Sequence, residues 1–459
     1  MTLRNILLAG TALGAAVFMT APAFAASNTQ AELDALKAQI EALQRKIDDV
    51  EIHHGNAIKT LEERKSDVEV TLKNGRPEFK SASGAYSLAI TGRAHLDWGG
   101  YDQDDASSAN FGGLRNNINF RRAILGVTGT LAKDFAYDLH FNFGDSGNEK
   151  SGELYEAALH YKGIDGVTLS IGAIQPKLTL DDSTSSNDIT FMERATAANL
   201  MTSIGGGDGR MAVGGTFNND NIFAAAYYTM GSVTGTADDD TSSALGRVAY
   251  ATSPAEGLNV HIGVSGTQAF NLPNDTFRFR DRPELRVDAT RMIDTGDFTA
   301  VDSITAYGPE IAFNYGPFRA QGEYYRYEID QRGTAVDPDF SAWYLQASWI
   351  ISGESYKYDI KKGAYSGVKP ANPFTSVTGG FGAWEVAVRY SQADLTDTVT
   401  ANNRRGGEQD IITVGLNWYA NSNVRFMLNY LDVDVEDRAN VANPNFGHQA
   451  LALRTQFAF

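Results

Sequence analysis

The sequence predicts an all-β fold: a transmembrane antiparallel β-barrel of about 16 strands, preceded by a short N-terminal coiled-coil helix. Three observations carry this. Phe135, Tyr137, Leu139, Phe141 and Phe143 alternate with Asp138, His140 and Asn142, and successive strand side chains point to opposite faces. The alternation recurs to the last residue, with polar faces too rich in charge for a packed interior. Beyond the first residues, no stretch is long and apolar enough for a transmembrane helix. A closed barrel with lipid outside and water inside satisfies all three.

The chain opens with Arg4, an apolar run from Ile6 to about Met19, and Ala23-Phe24-Ala25. That is a signal peptide, 1–25, with a small-x-small cleavage site. Twenty Tyr and 24 Phe suit aromatic girdles, and 45 Gly suit tight turns. The absence of cysteine excludes disulfides, thiolate metal sites and a Cys nucleophile. A net charge of -17 argues against nucleic acid as a partner. It does not settle ion preference, which depends on the charges at the narrowest point.

In residues 26–65, Leu33, Leu36, Ile40, Leu43, Ile47 and Val50 follow alternating steps of three and four, a heptad seam. This predicts a periplasmic coiled coil between protomers. Its 30–62 stretch could alternatively tether the membrane to the cell wall, or plug the barrel. Residues 66–84 read as a polar linker, and the barrel occupies 85–459. Tyr86, Leu88, Ile90, Ala94, Leu96 and Trp98 oppose Ser87, Thr91, Arg93, His95 and Asp97. The same alternation runs through 153–162, 257–266, 382–391, 411–419, 423–430 and 451–459. Residues 99–114 and 361–381 read as exposed loops. Residues 176–209, polar and then briefly helical over ITFMERATAANLM, read as a constriction loop able to fold inward.

No catalytic constellation is visible: there is neither a GxSxG elbow nor an HExxH motif. No cofactor or metal is expected. His95, His140, His160 and His261 read as solvated lining. Arginine spacing is more informative. Arg278, Arg280, Arg282 and Arg286 share strand parity and, if extended, line one face over roughly 30 Å at ~3.4 Å per residue. Guanidinium is permanently charged and forks toward oxyanions. Arg93, Arg247, Arg319, Arg389, Arg425 and Arg454 fall on the lumen face. Acids such as Glu284, Asp288, Glu323 and Glu385 could instead pair with these arginines and stabilise the wall. Asp281 and Pro283 could place 278–283 in a loop. Arg121 and Arg122 are adjacent, so perfect alternation cannot send both inward: either a bulge intervenes, or one lies at the trimer interface or rim. Arg194 reads as a loop anchor to a wall carboxylate.

FRRAILGVTGTLAKDFAYDLHF (120–141), LYEAALHYKGIDGVTLSIGAIQPK (154–177), TSSNDITFMERA (184–195) and the ending LALRTQFAF resemble the phosphate-selective porins O and P. The resemblance implies a homotrimer of sixteen-stranded barrels in the outer membrane of a Gram-negative bacterium, contacting lipid and passing small anionic solutes. It also implies an arginine track leading to a constriction loop, and it makes Arg121 and Arg122 pore candidates. Where the best-known members carry several loop lysines, this chain offers Lys177, Asp181, Asp182, Ser185 and Ser186. That argues against tight phosphate selectivity and leaves a general porin as the alternative.

Overall fold

The computed structural model describes residues 29–63, 68–73, 75–144, 152–233, 241–333, 337–377, 379–398 and 403–459. The signal peptide lies outside them. Two units are distinct. The first contains one helix, α1 (Thr29–Glu63). Its seam residues Leu33, Leu36, Ile40, Leu43, Ile47 and Val50 are all more than half exposed.

The second unit is the barrel. Its sixteen strands are β1 (Ser87–Gln103), β2 (Asn117–Leu131), β3 (Phe135–Asn142), β4 (Glu153–Ile164), β5 (Val167–Ile174), β6 (Arg210–Asn218), β7 (Ile222–Ser232), β8 (Ser242–Ala255), β9 (Leu258–Asn271), β10 (Val301–Tyr315), β11 (Phe318–Gln331), β12 (Asp339–Ile350), β13 (Ala383–Asp397), β14 (Arg404–Tyr419), β15 (Val424–Arg438) and β16 (Phe446–Ala458). Each pairs antiparallel with its neighbours, and β16 closes on β1 from His448↔Gln103 to Ala458↔Arg93. Closure leaves no barrel edge, the condition for strands in lipid. Phe459 completes the seam by exchanging backbone hydrogen bonds with Gly92, 3.1 and 2.9 Å. Its ring covers Gly92, where a Cβ would lie 2.6 Å from the ring tip.

The outward faces are apolar, and stacked rings near the short-turn end, Phe318 on Trp349 and Trp384 on Trp418, form an aromatic girdle. The inward faces bury charge: Arg247, Arg389 and Arg454 are at most 2% exposed.

Four expectations need correction. Residues 66–84 are not a linker: Val68–Lys73 and Arg76–Ser81 form a hairpin whose second strand joins β1. Its apolar residues alternate, and Gly75 turns the chain at φ 77. Residues 99–114 are not one loop, since β1 runs to Gln103 and a helix, α2 (Asp105–Phe111), follows, capped by Asp104. Residues 278–286 are not a barrel strand. They lie in a long loop, 272–300, whose pairings are a two-residue match of Arg280–Asp281 to Ile293–Asp294 and a single Phe277–Phe298 bridge. Pro283 and Glu284, the latter at φ 54, break the extended run. Finally, 361–381 is not exposed throughout. Gly363, Ala364 and Tyr365 are buried inside the short-turn end of the barrel.

Candidate functional site: the lumen and its inward loops

A loop inside a barrel must satisfy its backbone polar groups there. Here wall side chains do so for the long insertion between β5 and β6. Two short helices, α3 (Leu180–Ser183) and α4 (Thr196–Gly205), flank a stretch of turns and bends, 184–195. Arg425 donates to Ile189 O at 2.8 Å and Thr190 O at 3.1 Å. Asn417 donates to Thr190 O at 2.9 Å, Gln456 to Asn187 O at 3.0 Å and Arg389 to Glu193 O at 3.1 Å. Arg454 donates to Met192 O, and Arg389 lies 4.6 Å above the Phe191 ring. Most of the lumen-facing arginines found by parity therefore clamp a loop.

Glu193 is the hub. It accepts from Arg121 at 2.8 and 3.2 Å and from Arg454 at 2.9 Å, with Arg286 3.4 Å away. Arg454 also forks onto Asp97 at 2.6 Å twice. Burial would push the Glu193 carboxyl up, but Arg121, Arg454 and Arg286 outweigh it and hold it well below the usual carboxylate range.

Arg194 binds the loop to itself. It donates to Asp181 O, Asp182 O and Thr184 O at 3.0–3.2 Å and lies 3.5 Å from the Asp182 carboxylate. Its partners belong to the loop and not to the wall. Asp181 accepts from the Ala195 amide at 3.0 Å and Asp182 from Gln175 at 2.8 Å. Both carboxylates that looked like lumen charges are thus buried loop staples. Ser186 accepts from Arg93 at 2.8 Å, and the Ser185 carbonyl accepts from the Asp188 amide at 2.7 Å. Lys177 is half-buried, and burial pushes its ammonium down against the pull of Asp182 and Glu156.

Loop 272–300 divides the four spaced arginines. Arg278 is exposed and forks onto Asp294. Arg280 is also exposed, Arg282 is buried and Arg286 is half-buried beside Glu193. Burial, then Arg291 and Arg286, push Arg282 down to about 10, which leaves it charged at neutral pH. From the short-turn end, Gly363 O accepts from Arg247 at 2.7 Å, and Tyr356 and Tyr365 lie 4.6 and 5.0 Å from the Arg319 guanidinium. Lys357, Lys361 and Lys362 are exposed on the same inward segment.

Arg121 and Arg122 both face inward because β2 carries a bulge: His95 pairs Arg122, and Leu96 pairs Phe120. Both are buried, at 3% and 2% exposure. Arg122 lies 3.8 Å from Asp208, while its Nε and Nη1 are buried without a hydrogen-bond acceptor among the described residues. A cavity of about 70 Å³ adjoins them, lined by Arg121, Arg122, Asn142, Tyr155 and Asp208. Glu193, Asp208, Tyr356 and the three lysines were not singled out from the sequence. The sole signal for any of them was Glu193 within the TSSNDITFMERA stretch.

The profile of the family described as phosphate-selective porin O and P matches residues 88–459. The chain belongs to that family. It is similar to Porin O of Pseudomonas aeruginosa, 27% identical over 86% of this chain and 93% of that one. It is also 28% identical to an uncharacterized protein of Caulobacter vibrioides, over 82% of this chain and 73% of that one. Among solved structures, a loop-deletion mutant of OmpT, an outer-membrane protein of Vibrio cholerae, aligns with TM-score 0.51 at 14% identity, covering 82% of this chain and 100% of that one. An anion-selective porin of Comamonas acidovorans aligns with TM-score 0.50 at 13% identity, covering 82% and 100%. These two establish the fold alone. Family and barrel together make this a porin of the Gram-negative outer membrane, a channel and not an enzyme by class.

Proposed function

We propose that this porin is a homotrimeric diffusion channel for small hydrophilic anions, phosphate or related oxyanions, with no catalytic role. The observation that carries the reading is Arg122, with two buried nitrogens lacking acceptors among the described residues, beside a cavity next to Arg121. An anion there would exchange water for guanidinium donors, the stronger class of hydrogen bond. Arg282, Arg286 and Arg291 supply positive charge on one inward loop, and Lys357, Lys361 and Lys362 supply it at the short-turn end. Asp208 and Glu193 keep net attraction modest, so a bound anion can leave. Because Asp181 and Asp182 are tied to the loop, they do not oppose anions as free lumen charges would. The exposed α1 seam supports a three-chain coiled coil.

The test is the reversal potential in a planar bilayer under a chloride-salt gradient, with and without added phosphate. Anion preference with block by phosphate supports the proposal. Absence of both replaces it with a general porin.

A further inference from the structure

On the lumen face of β3 and β4, three potential ligands converge outside the arginine system. His140 pairs Glu156, Asp138 pairs Ala158, and Ala136 pairs His160. Asp138 therefore sits diagonally between Glu156 and His160, over the small Ala158. One donor atom from each of Asp138, Glu156 and His160 lies within 4.8 Å of the others. Their side chains are 25%, 26% and 15% exposed, open to lumen water on one side.

Both ends of this set are held from behind. His160 Nε2 faces Asp138 at 3.0 Å, and its Nδ1 is 2.8 Å from Ser170 Oγ. A hydrogen bond from Nδ1–H to that hydroxyl leaves Nε2 for the cluster. Glu156 is 2.9 Å from His140 Nδ1, and His140 Nε2 is 3.1 Å from Thr91 Oγ1. The neighbouring strands make room. Gly126 faces His140, and a Cβ there would lie 2.2 Å from the imidazole; Gly172 faces Ala158. An imidazole and two carboxylates, with His160 and Glu156 each oriented by an outer partner, is a ligand set for divalent transition metals. Hard cations such as calcium or magnesium prefer all-oxygen sets.

We propose that Asp138, Glu156 and His160 bind a divalent transition metal ion, zinc being the reference case, with water completing the coordination. His140 and Ser170 act as positioning residues. Binding displaces the His160–Asp138 contact, and any proton on Nε2 passes to solvent. Ligand distances of about 2.0–2.2 Å require the three donors to close around the ion, which side-chain rotation provides.

The experiment is zinc titration by calorimetry of the full-length porin in detergent, with cobalt(II) absorption as a second readout. The variants are made in a His53→Ala/His54→Ala background, which removes the exposed helix pair. One zinc per chain is expected. His160→Gln and Asp138→Asn should abolish it, and His140→Ala should weaken it about 10–100-fold, the usual cost of losing an outer-shell partner. An unchanged circular-dichroism spectrum in chelator shows that each variant is folded. Absence of zinc uptake in the background protein, or uptake that survives both His160→Gln and Asp138→Asn, overturns the proposal. Because the readout is metal content, it is independent of whether the channel prefers anions.

Discussion

The hub at Glu193 allows a quantitative test of how the inward loop is held. Glu193→Gln keeps the shape and removes the charge. Three hydrogen bonds to guanidinium groups, from Arg121 at 2.8 and 3.2 Å and from Arg454 at 2.9 Å, lose their ionic partner. Each falls from about 1.5–3 to about 0.5–1.5 kcal/mol. Summed over three, the loss is on the order of 3 kcal/mol, or about 100-fold in the equilibrium between clamped and released loop at ~1.4 kcal/mol per decade. Amide hydrogen exchange across α4 in detergent-solubilised protein should therefore accelerate about 100-fold. Arg326→Gln, which touches the exposed carboxylates of Asp339 and Glu328, should leave it unchanged. Equal exchange rates in wild type and Glu193→Gln would refute the claim that buried ion pairs anchor this loop.

Arg122→Gln should weaken phosphate block of the chloride current about 10–100-fold, from the ~1.5–3 kcal/mol of a charged hydrogen bond, with single-channel chloride current recorded over a phosphate series. Arg454→Met strands the buried carboxylate of Asp97, takes one guanidinium from Glu193, and should lower stability by about 3–5 kcal/mol, seen as an earlier denaturant midpoint. The Glu193 carboxyl is held low in the folded protein. Its contribution is thus fully present above the ordinary carboxylate value of about 4.3 and lost only as pH falls through the lower folded value. Loop exchange protection should accordingly hold from neutral pH to about 4.3 and fail in stronger acid. Leu36→Asp or Leu43→Asp in α1 should reduce trimer recovery on native gels, if the exposed seam is an interface between protomers.

Much of the barrel was legible along the chain because a strand in lipid has a local rule. Every second side chain must be apolar, and backbone groups must pair with neighbours. Phe135 to Phe143 obeys that rule, as do β9, β13, β14 and β15, so period alone marked the wall and the parity of Arg389, Arg425 and Arg454. For Arg121 and Arg122 alternation showed only that both could not face inward on a regular strand, leaving a bulge or a position at the trimer interface or rim; the register of β2 on β1 decides for the bulge. The hairpin at 68–81 was hidden because its short strands are interrupted by Pro77 and rich in polar residues.

What the sequence could not determine is what each lumen arginine faces. Arg389 and Arg425 carry the same alternation signal whether their guanidiniums meet solute or a loop carbonyl. That choice depends on where 176–209, 272–300 and 351–382 travel inside the barrel. Arg282 and Arg286 reached the lumen on a loop that parity had read as a strand, and Asp181 and Asp182 became staples, not lumen charges. By itself the sequence determined the wall, because alternation is enforced by nearest neighbours. Only the tertiary structure decided which charges face solute, because the Coulomb and hydrogen-bond partners of Arg454 and Glu193 lie 261 residues apart in the chain and no local pattern records the meeting.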